Sequence, residues 1–422
     1  MLPERDVRRA LVVIFATIAL DAVGLGLVFP ILPQLLADVA DPERVSAYVG
    51  VTAAVYAVMQ FLFAPALGAL SDRVGRRPVL LLSLAGAVVG YAVMAAGHSL
   101  WVLLLGRAIA GLTSANLSVA TAYITDVSPD ESRARRFGLF NAMSGLGFIV
   151  GPVLGGVLGA YGLRLPFVVA AALNAVTFAL ALRLLPESRV DRGAAVAPMS
   201  LNPFRQLRWA MKMGRLLPLM AIYFLFTAVG EAYGTCWALW GTATFGWNGP
   251  RIGLSLGAFG VCQALAQAFV PGPAVKRLGE TWTVLFSVAC TCVALVVIAF
   301  AVRGWIVFAL MPLFALGGIG APALQTLATR SVGEDEQGRF QGVLASVVSL
   351  ASILSPLVFS SIYVLEERRW PGAVWLSVAV LNAVVVPIIA RLDFGGPGAL
   401  QVRSATLRRA SGVAPDSGPS TR

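Results

Sequence analysis

Three ionisable side chains interrupt long apolar stretches of this 422-residue chain: Asp21, Arg107 and Glu231. Of its 21 acidic residues only Asp21 and Glu231 fall deep within such stretches, and Arg107 is the one base so placed. If the stretches cross a membrane, a charge near their centre costs at least ~2.5 kcal/mol on insertion scales, so it faces an interior cavity and does work there. A carboxyl that takes up and releases a proton beside a guanidinium, or beside a cationic solute, is a coupling device. The plainer reading makes Asp21 and Arg107 a structural ion pair and Glu231 a polar residue at a wet helix end.

A second group could hold a solute. Gln60, Asn116, Asn141, Gln263, Gln267 and Gln325 offer uncharged polar contacts within apolar stretches, and Phe226, Trp237 and Trp240 offer aromatic surface. Together they suit an amphipathic, drug-like small molecule; each alone serves equally well in helix packing. Other chemistry finds no support. There is no phosphate-cradling glycine loop, metal-ligand cluster or catalytic triad, so the chain is expected to be no enzyme and to need no metal or cofactor. Gly24 and Gly26 lie inside an apolar run and not after a soluble strand, which removes a dinucleotide reading. His98, the only histidine, sits in a short loop, and Cys236, Cys262, Cys290 and Cys292 read as free thiols packed among helices.

The elements that must position these residues follow from composition. Apolar residues make up 58% and charged residues 13% of the chain, against roughly 45–50% and 25% in soluble domains. So little charge cannot solvate so much hydrocarbon, which excludes a soluble two-domain enzyme. Twelve apolar runs are long enough to cross a bilayer, centred near Asp21, Val58, Ala87, Gly111, Phe148, Val176, Gly230, Cys262, Cys292, Gly318, Ser352 and Val380. The net charge of +11 does not gather on one face as nucleic-acid binding requires. With both ends in the cytoplasm, 25 of the 32 Lys and Arg fall on cytoplasmic segments, which fixes that orientation by the positive-inside rule. Residues 1–32 imitate a signal peptide, but Asp21 in the middle of the run makes them a retained first helix.

The chain divides into residues 1–185 and 217–393, each with six spans, joined by a basic cytoplasmic linker at 186–216 and followed by a disordered cytoplasmic tail at 394–422. The halves repeat. At an offset of 204, Gly68, Arg73, Gly75, Thr125, Arg135, Gly138 and Pro152 match Gly272, Arg277, Gly279, Thr329, Arg339, Gly342 and Pro356. At 206, Ala22-Val23-Gly24 matches Ala228-Val229-Gly230, which puts Glu231 one helical turn beyond the counterpart of Asp21. Two six-helix repeats with a site between them is a transporter plan.

Three motifs resemble the major facilitator superfamily, over nearly everything from Ala10 to Leu392. The loop between spans 2 and 3 carries Gly68, Asp72, Arg73, Gly75, Arg76 and Arg77. Its chemistry implies a gate: Gly75 permits a tight turn, Asp72 caps a facing helix N-terminus, and the arginines pair with Asp126 at the end of span 4. Span 5 carries Gly138, Gly147, Gly151, Pro152, Gly155 and Gly156, the pattern shared by the family's drug and proton antiporters. Its small residues are expected to approach a partner helix across the interface between halves. Leu20 to Pro33, Gly106 to Gly111, Phe245 to Asn248 and Pro322 to Gln325 are similar to the tetracycline exporter branch.

The resemblance implies an all-α membrane protein with twelve transmembrane helices in two pseudo-symmetric six-helix bundles, the major facilitator fold. It implies proton-coupled efflux of tetracycline-like or other amphipathic drugs across a bacterial inner membrane, by a chain functional as a monomer, with Asp21, Arg107 and Glu231 carrying the coupling. The chain departs from the branch at three places. Gly90, Gln263 and Thr291 stand where tetracycline exporters of the best-understood type place an acid, a histidine and an acid. Two rivals stay open: a metabolite exporter or uptake carrier on the same scaffold, and a transport-inactive membrane sensor or assembly partner.

Overall fold

The computed structural model describes residues 4–114, 116–188, 216–330 and 337–391. Most of the expected linker and the whole expected tail lie outside the described residues. Within them, twelve helices are long and apolar enough to cross a membrane: α1 (Arg5–Val28), α2 (Pro42–Val74), α3 (Arg76–Ala96), α4 (Leu100–Val127), α5 (Asp130–Tyr161), α6 (Leu165–Leu184), α7 (Leu217–Phe245), α8 (Gly249–Phe269), α9 (Pro271–Ala299), α10 (Gly304–Ala328), α11 (Phe340–Glu366) and α12 (Ala373–Ala390). Even α12, with 18 residues, rises ~27 Å at 1.5 Å per residue. No strand occurs among the described residues. Many large apolar side chains face outward, and Trp101 and Trp305 are among the most exposed. They sit at matching starts of α4 and α10, where aromatic rings suit a membrane–water boundary.

The helices pack as two six-helix bundles with matching contacts. In the first, α1 packs on α5 and α6, α3 on α4 and α6, and α2 on α4; in the second, α7 packs on α11 and α12, α9 on α10 and α12, and α8 on α10. The bundles meet through α2 against α11 and α5 against α8, themselves a symmetric pair. Two helices break at equivalent places. The helical segment Leu100–Leu112 ends at Thr113 before Asn116–Val127 resumes, and Gly304–Leu316 gives way to the 3-10 turn Gly317–Ile319. Residues 113 and 317 are separated by the repeat offset of 204.

Both described chain ends lie at one face, here called the terminal face. The close approaches between bundles lie toward the opposite, far face. Gly50 of α2 lies so tight against Pro356 and Ser360 of α11 that a Cβ there would collide with both, and Gly156 of α5 does the same against Gly249 of α8. Ser46 donates to Glu367 Oε2 at 2.6 Å across the same boundary. Toward the terminal face, by contrast, a Cβ added at Gly68, Gly138, Gly145 or Gly272 would meet nothing within 4 Å. The interior between the bundles opens toward the terminal face.

Candidate functional site

Asp21, in the second half of α1, reaches a small cavity in the first bundle that α2, α3 and α4 also line. Asn116 Nδ2 donates to its Oδ1 at 3.1 Å. Arg107 is buried and stacks over the Tyr56 ring at 5.0 Å from the centroid. Tyr56 Oη and Ser114 Oγ are 2.8 Å apart, and Gln60 Nε2 donates to the same Ser114 oxygen at 3.1 Å. Arg107 Nε is buried with no hydrogen-bond partner, and none of the ion pairs among the described residues joins Asp21 to Arg107. The structural ion pair considered above is therefore not the arrangement found. The break in α4 explains the polarity, since it brings Thr113, Ser114 and Asn116 to one wall. The cavity's volume is about 20 Å³, room for about one water.

The second bundle holds a larger cavity of about 280 Å³, walled by Phe226, Gly230 and Tyr233 of α7, Phe259 and Gln263 of α8, Ser287 and Thr291 of α9, Phe314, Gly317 and Gly318 of α10, and Asn382 of α12. At the offset of 204 the two cavities share wall positions: Ser83 and Ser287, Ala87 and Thr291, Ala110 and Phe314, Thr113 and Gly317, Ser114 and Gly318. They are the same site in the two repeats, filled differently. Where the first repeat has Tyr56, Arg107 and Asn116, the second has Gly260, Met311 and Gly320. The exchange is reciprocal at one point: Thr113 occupies the space beside Gly86 in the first bundle, whereas Thr291 occupies the space beside Gly317 in the second.

Glu231, next to Gly230, faces away from the large cavity and accepts a hydrogen bond from Ser352 Oγ of α11 at 2.6 Å. Asp21 looks to α4, whereas Glu231 looks to α11, the counterpart of α5. The two carboxyls therefore meet different neighbours, although Glu231 lies one helical turn beyond Thr227, the position equivalent to Asp21, whose hydroxyl donates to the Tyr223 carbonyl.

The small-residue stripe of α5 is also divided. Gly147, Gly151 and Gly155, spaced by four, lie against α1 within their own bundle, where a Cβ would strike Ala19, Val23 and Leu27. Gly156 meets Gly249 of α8, and Pro152 turns its carbonyl to Gly253 of α8 while its ring lies beside Gly26 of α1, so within this stripe the approach across the interface rests on these two. Gly138 has open space around it.

At the terminal face Arg76 gathers the expected carboxylates, with Asp72 at 2.6 Å and Asp126 at 3.2 Å. Glu187, just after α6, accepts from the backbone N–H of Arg76 at 2.8 Å and of Arg77 at 3.3 Å, and so caps the N-terminus of α3, a role not assigned to it from the sequence. Gly75, with φ of 110°, brings the backbone close enough that a Cβ would collide with that carboxylate. Arg77 donates to the Leu182 carbonyl, and Arg73 is the basic residue in the last turn of the helix before Gly75. Glu187 was hidden in the sequence because it stands 111 residues from its partner.

Of the proposed solute contacts, Asn116 and Gln60 belong to the polar group around Asp21, and Phe226 and Gln263 to the large cavity. Trp237 and Trp240 do not line it. Both are buried in a stack with Phe245, Trp247 and Trp375, and Trp237 donates to Ser255 Oγ at 2.9 Å. Five aromatic side chains bury more apolar surface against one another than a cavity wall would offer. Asn141, Gln267 and Gln325 are exposed on the terminal halves of α5, α8 and α10. His98 is exposed, with Nδ1 2.7 Å from the Ala96 carbonyl. Gly90 packs against the backbone of Gly106, and a Cβ there would lie 3.0 Å from its carbonyl oxygen. This contact has no room for an acid.

Comparison with known proteins agrees with this geometry. The model of the Major Facilitator Superfamily matches residues 14–237 and again residues 219–405. The class C tetracycline resistance protein of Escherichia coli is 46% identical over 90% of this chain and 96% of its own length. The class G tetracycline resistance protein of Vibrio anguillarum is 42% identical over 91% of this chain and 98% of its own. Among solved structures, a bacterial homologue of the human lysosomal transporter Spinster superposes with a TM-score of 0.77 at 14% identity, covering 92% of this chain and 97% of that one, a likeness of fold. The chain belongs to the Major Facilitator Superfamily, in the branch that holds the tetracycline resistance proteins.

Proposed function

We propose that this protein exports tetracycline-like or other amphipathic drugs across a bacterial inner membrane in exchange for protons, with both chain ends in the cytoplasm and no catalytic step. One observation carries the reading. Asp21 sits in a membrane-interior cavity beside Arg107 without an ion pair to it, so its carboxyl is free to exchange a proton or to meet a cationic group on a solute. A charged group is kept at such depth only where it works. The terminal face, which the basic residues assign to the cytoplasm, is where the interior opens, so a cytoplasmic drug would enter between the bundles. Arg76 with Asp72 and Asp126 then forms a cytoplasmic latch, and Glu231 with Ser352 a second proton-sensitive contact. Both cavities lie within one chain, which supports function as a monomer, and the division at 186–216 leaves each bundle its own cavity.

Inverted membrane vesicles from an efflux-deficient bacterium expressing this chain test the reading. An imposed pH gradient should drive tetracycline accumulation, which collapses with a protonophore and is lost in Asp21→Asn. Accumulation that ignores the gradient, or persists in an Asp21→Asn, Glu231→Gln double variant, would contradict it.

A further inference from the structure

The large cavity of the second bundle is built for a particular kind of ligand. Its apolar wall is a set of three rings: Tyr233, Phe259 and Phe314, with centroids 4.8, 5.5 and 5.0 Å apart pairwise. Tyr233 is backed by Trp237 at 4.5 Å, and Trp237 belongs to the buried stack, so the wall cannot easily collapse. The polar wall has a definite polarity. Ser287 and Thr291 spend their hydroxyl protons on the carbonyls of Val284 and Ser287, and Asn382 Nδ2 points to the Val288 carbonyl. The serine and threonine oxygens are left as acceptors. Gln263 Oε1 and Tyr233 Oη, on two of the lining residues, are buried without a hydrogen-bond partner. Buried polar atoms are costly to leave unpaired, so both call for a complement. None of the lining residues carries a charge.

The cavity opens at Gly230 and Ala321, both exposed, and a Cβ at Gly230 would meet nothing within 4 Å. A ligand therefore reaches it from the space between the bundles. Its volume, about 280 Å³, lies near the lower end of ligand pockets, roughly 300 Å³, and suits part of a drug and not the whole of a large one.

From this we infer that the second-bundle cavity binds the uncharged, planar fused-ring portion of a ligand, with a hydrogen-bond donor on the ring edge directed at Gln263 Oε1 and an acceptor directed at Tyr233 Oη. The inference deepens the export reading, since it names the chemical class of substrate and separates its recognition from the charged cavity of the first bundle. Positively charged ring systems are disfavoured there, because no carboxylate lines the cavity; a cationic group on the same drug is left for Asp21.

The test uses the purified full-length chain in lipid nanodiscs and 7-hydroxycoumarin at mildly acidic pH as probe, a neutral two-ring molecule with a hydroxyl at one end and a carbonyl at the other. Saturable quenching of protein tryptophan fluorescence reports binding. Gly145→Ala, on α5 away from the cavity, adds a methyl group where there is room and should leave affinity near wild type, whereas Gly230→Phe should abolish saturable binding. Tyr233→Phe and Gln263→Leu should each weaken it about three- to tenfold. Thermal unfolding of every variant checks that it is folded. Wild-type binding in a folded Gly230→Phe variant would overturn the site. Gradient-driven tetracycline flux separates the two readings: the expected binding pattern without flux upholds the cavity and removes the export reading, whereas flux with binding indifferent to Gly230→Phe removes the cavity and leaves export standing.

Discussion

The first-bundle cavity around Asp21 and the second-bundle cavity around Tyr233 occupy the same place in two copies of one six-helix repeat, yet one is about 20 Å³ and polar and the other about 280 Å³ and aromatic. The difference comes from a few side chains. Thr113 and Ser114 bring side chains to the break of α4, whereas Gly317 and Gly318 bring none to the break of α10, where Thr291 and Gln263 pack against them instead, and Tyr56 and Arg107 give way to Gly260 and Met311. Duplication supplied two equivalent sites, and substitution made one a place for charge and the other a place for rings. The contrast also explains why Asp21 and Glu231 are not symmetric partners: the charge of the second repeat sits one helical turn further along α7, against α11.

The comparison breaks most sharply at Asp21. Asp21→Asn keeps a side chain for Asn116 to contact but removes the exchangeable proton, and gradient-driven tetracycline flux in vesicles should fall at least about a hundredfold, the scale of a lost essential proton carrier. Glu231→Gln should lower it less, because Ser352 can still donate to the amide oxygen. Next comes conversion of the second cavity toward the first. Gly317→Thr with Gly318→Ser would place side chains against Thr291 and Gln263, an overpacking cost of ~1–3 kcal/mol. Thermal unfolding should shift down, and tetracycline transport should fall with it.

Gly90→Asp sharpens the same point from the other bundle. Restoring an acid where the family pattern places one should destabilise the protein by ~1–3 kcal/mol, because the backbone of Gly106 already occupies the space. A rise in tetracycline resistance from this single change would show that α3 and α4 separate more easily than the contact implies. Asp72→Asn weakens one of the two carboxylate contacts on Arg76 and should cut transport a few-fold at matched expression, a loss of ~1 kcal/mol for a partly exposed pair. Asn141→Ala, on an exposed stretch of α5, should change drug resistance less than about twofold.

Much of this was legible in the residues themselves. Hydropathy runs of membrane-spanning length and the 204-residue offset yield the twelve spans and the two bundles, because a bilayer permits few alternatives to a helix. Asp21 and Arg107 stood out for the same reason, since their cost in a membrane marks them. What the sequence hid depends on direction around a helix axis and on distant partners. Trp237 and Gly230 lie two turns apart on nearly the same face of α7, and only the packing of Trp247 and Trp375 shows that the tryptophan is held in the core while the glycine lines the cavity. The glycines of α5 announce close contact without saying with which helix, and three of them face α1. Tyr233, Phe259 and Phe314 come from three helices with nothing in their spacing to join them, and the α3 cap by Glu187 is likewise invisible along the chain.

The central claim is that drug and proton compete at Asp21. Proton release on drug binding tests it most directly: tetracycline is added to the detergent-purified protein in weakly buffered solution, and a pH indicator reads the protons set free. The account predicts about one proton released per bound drug in the wild-type protein, less as the pH rises, because the carboxyl has by then already lost its proton, and none in Asp21→Asn, which still binds the drug. Equal release from the Asp21→Asn variant, or binding by the wild type with no release across the pH range, would contradict it.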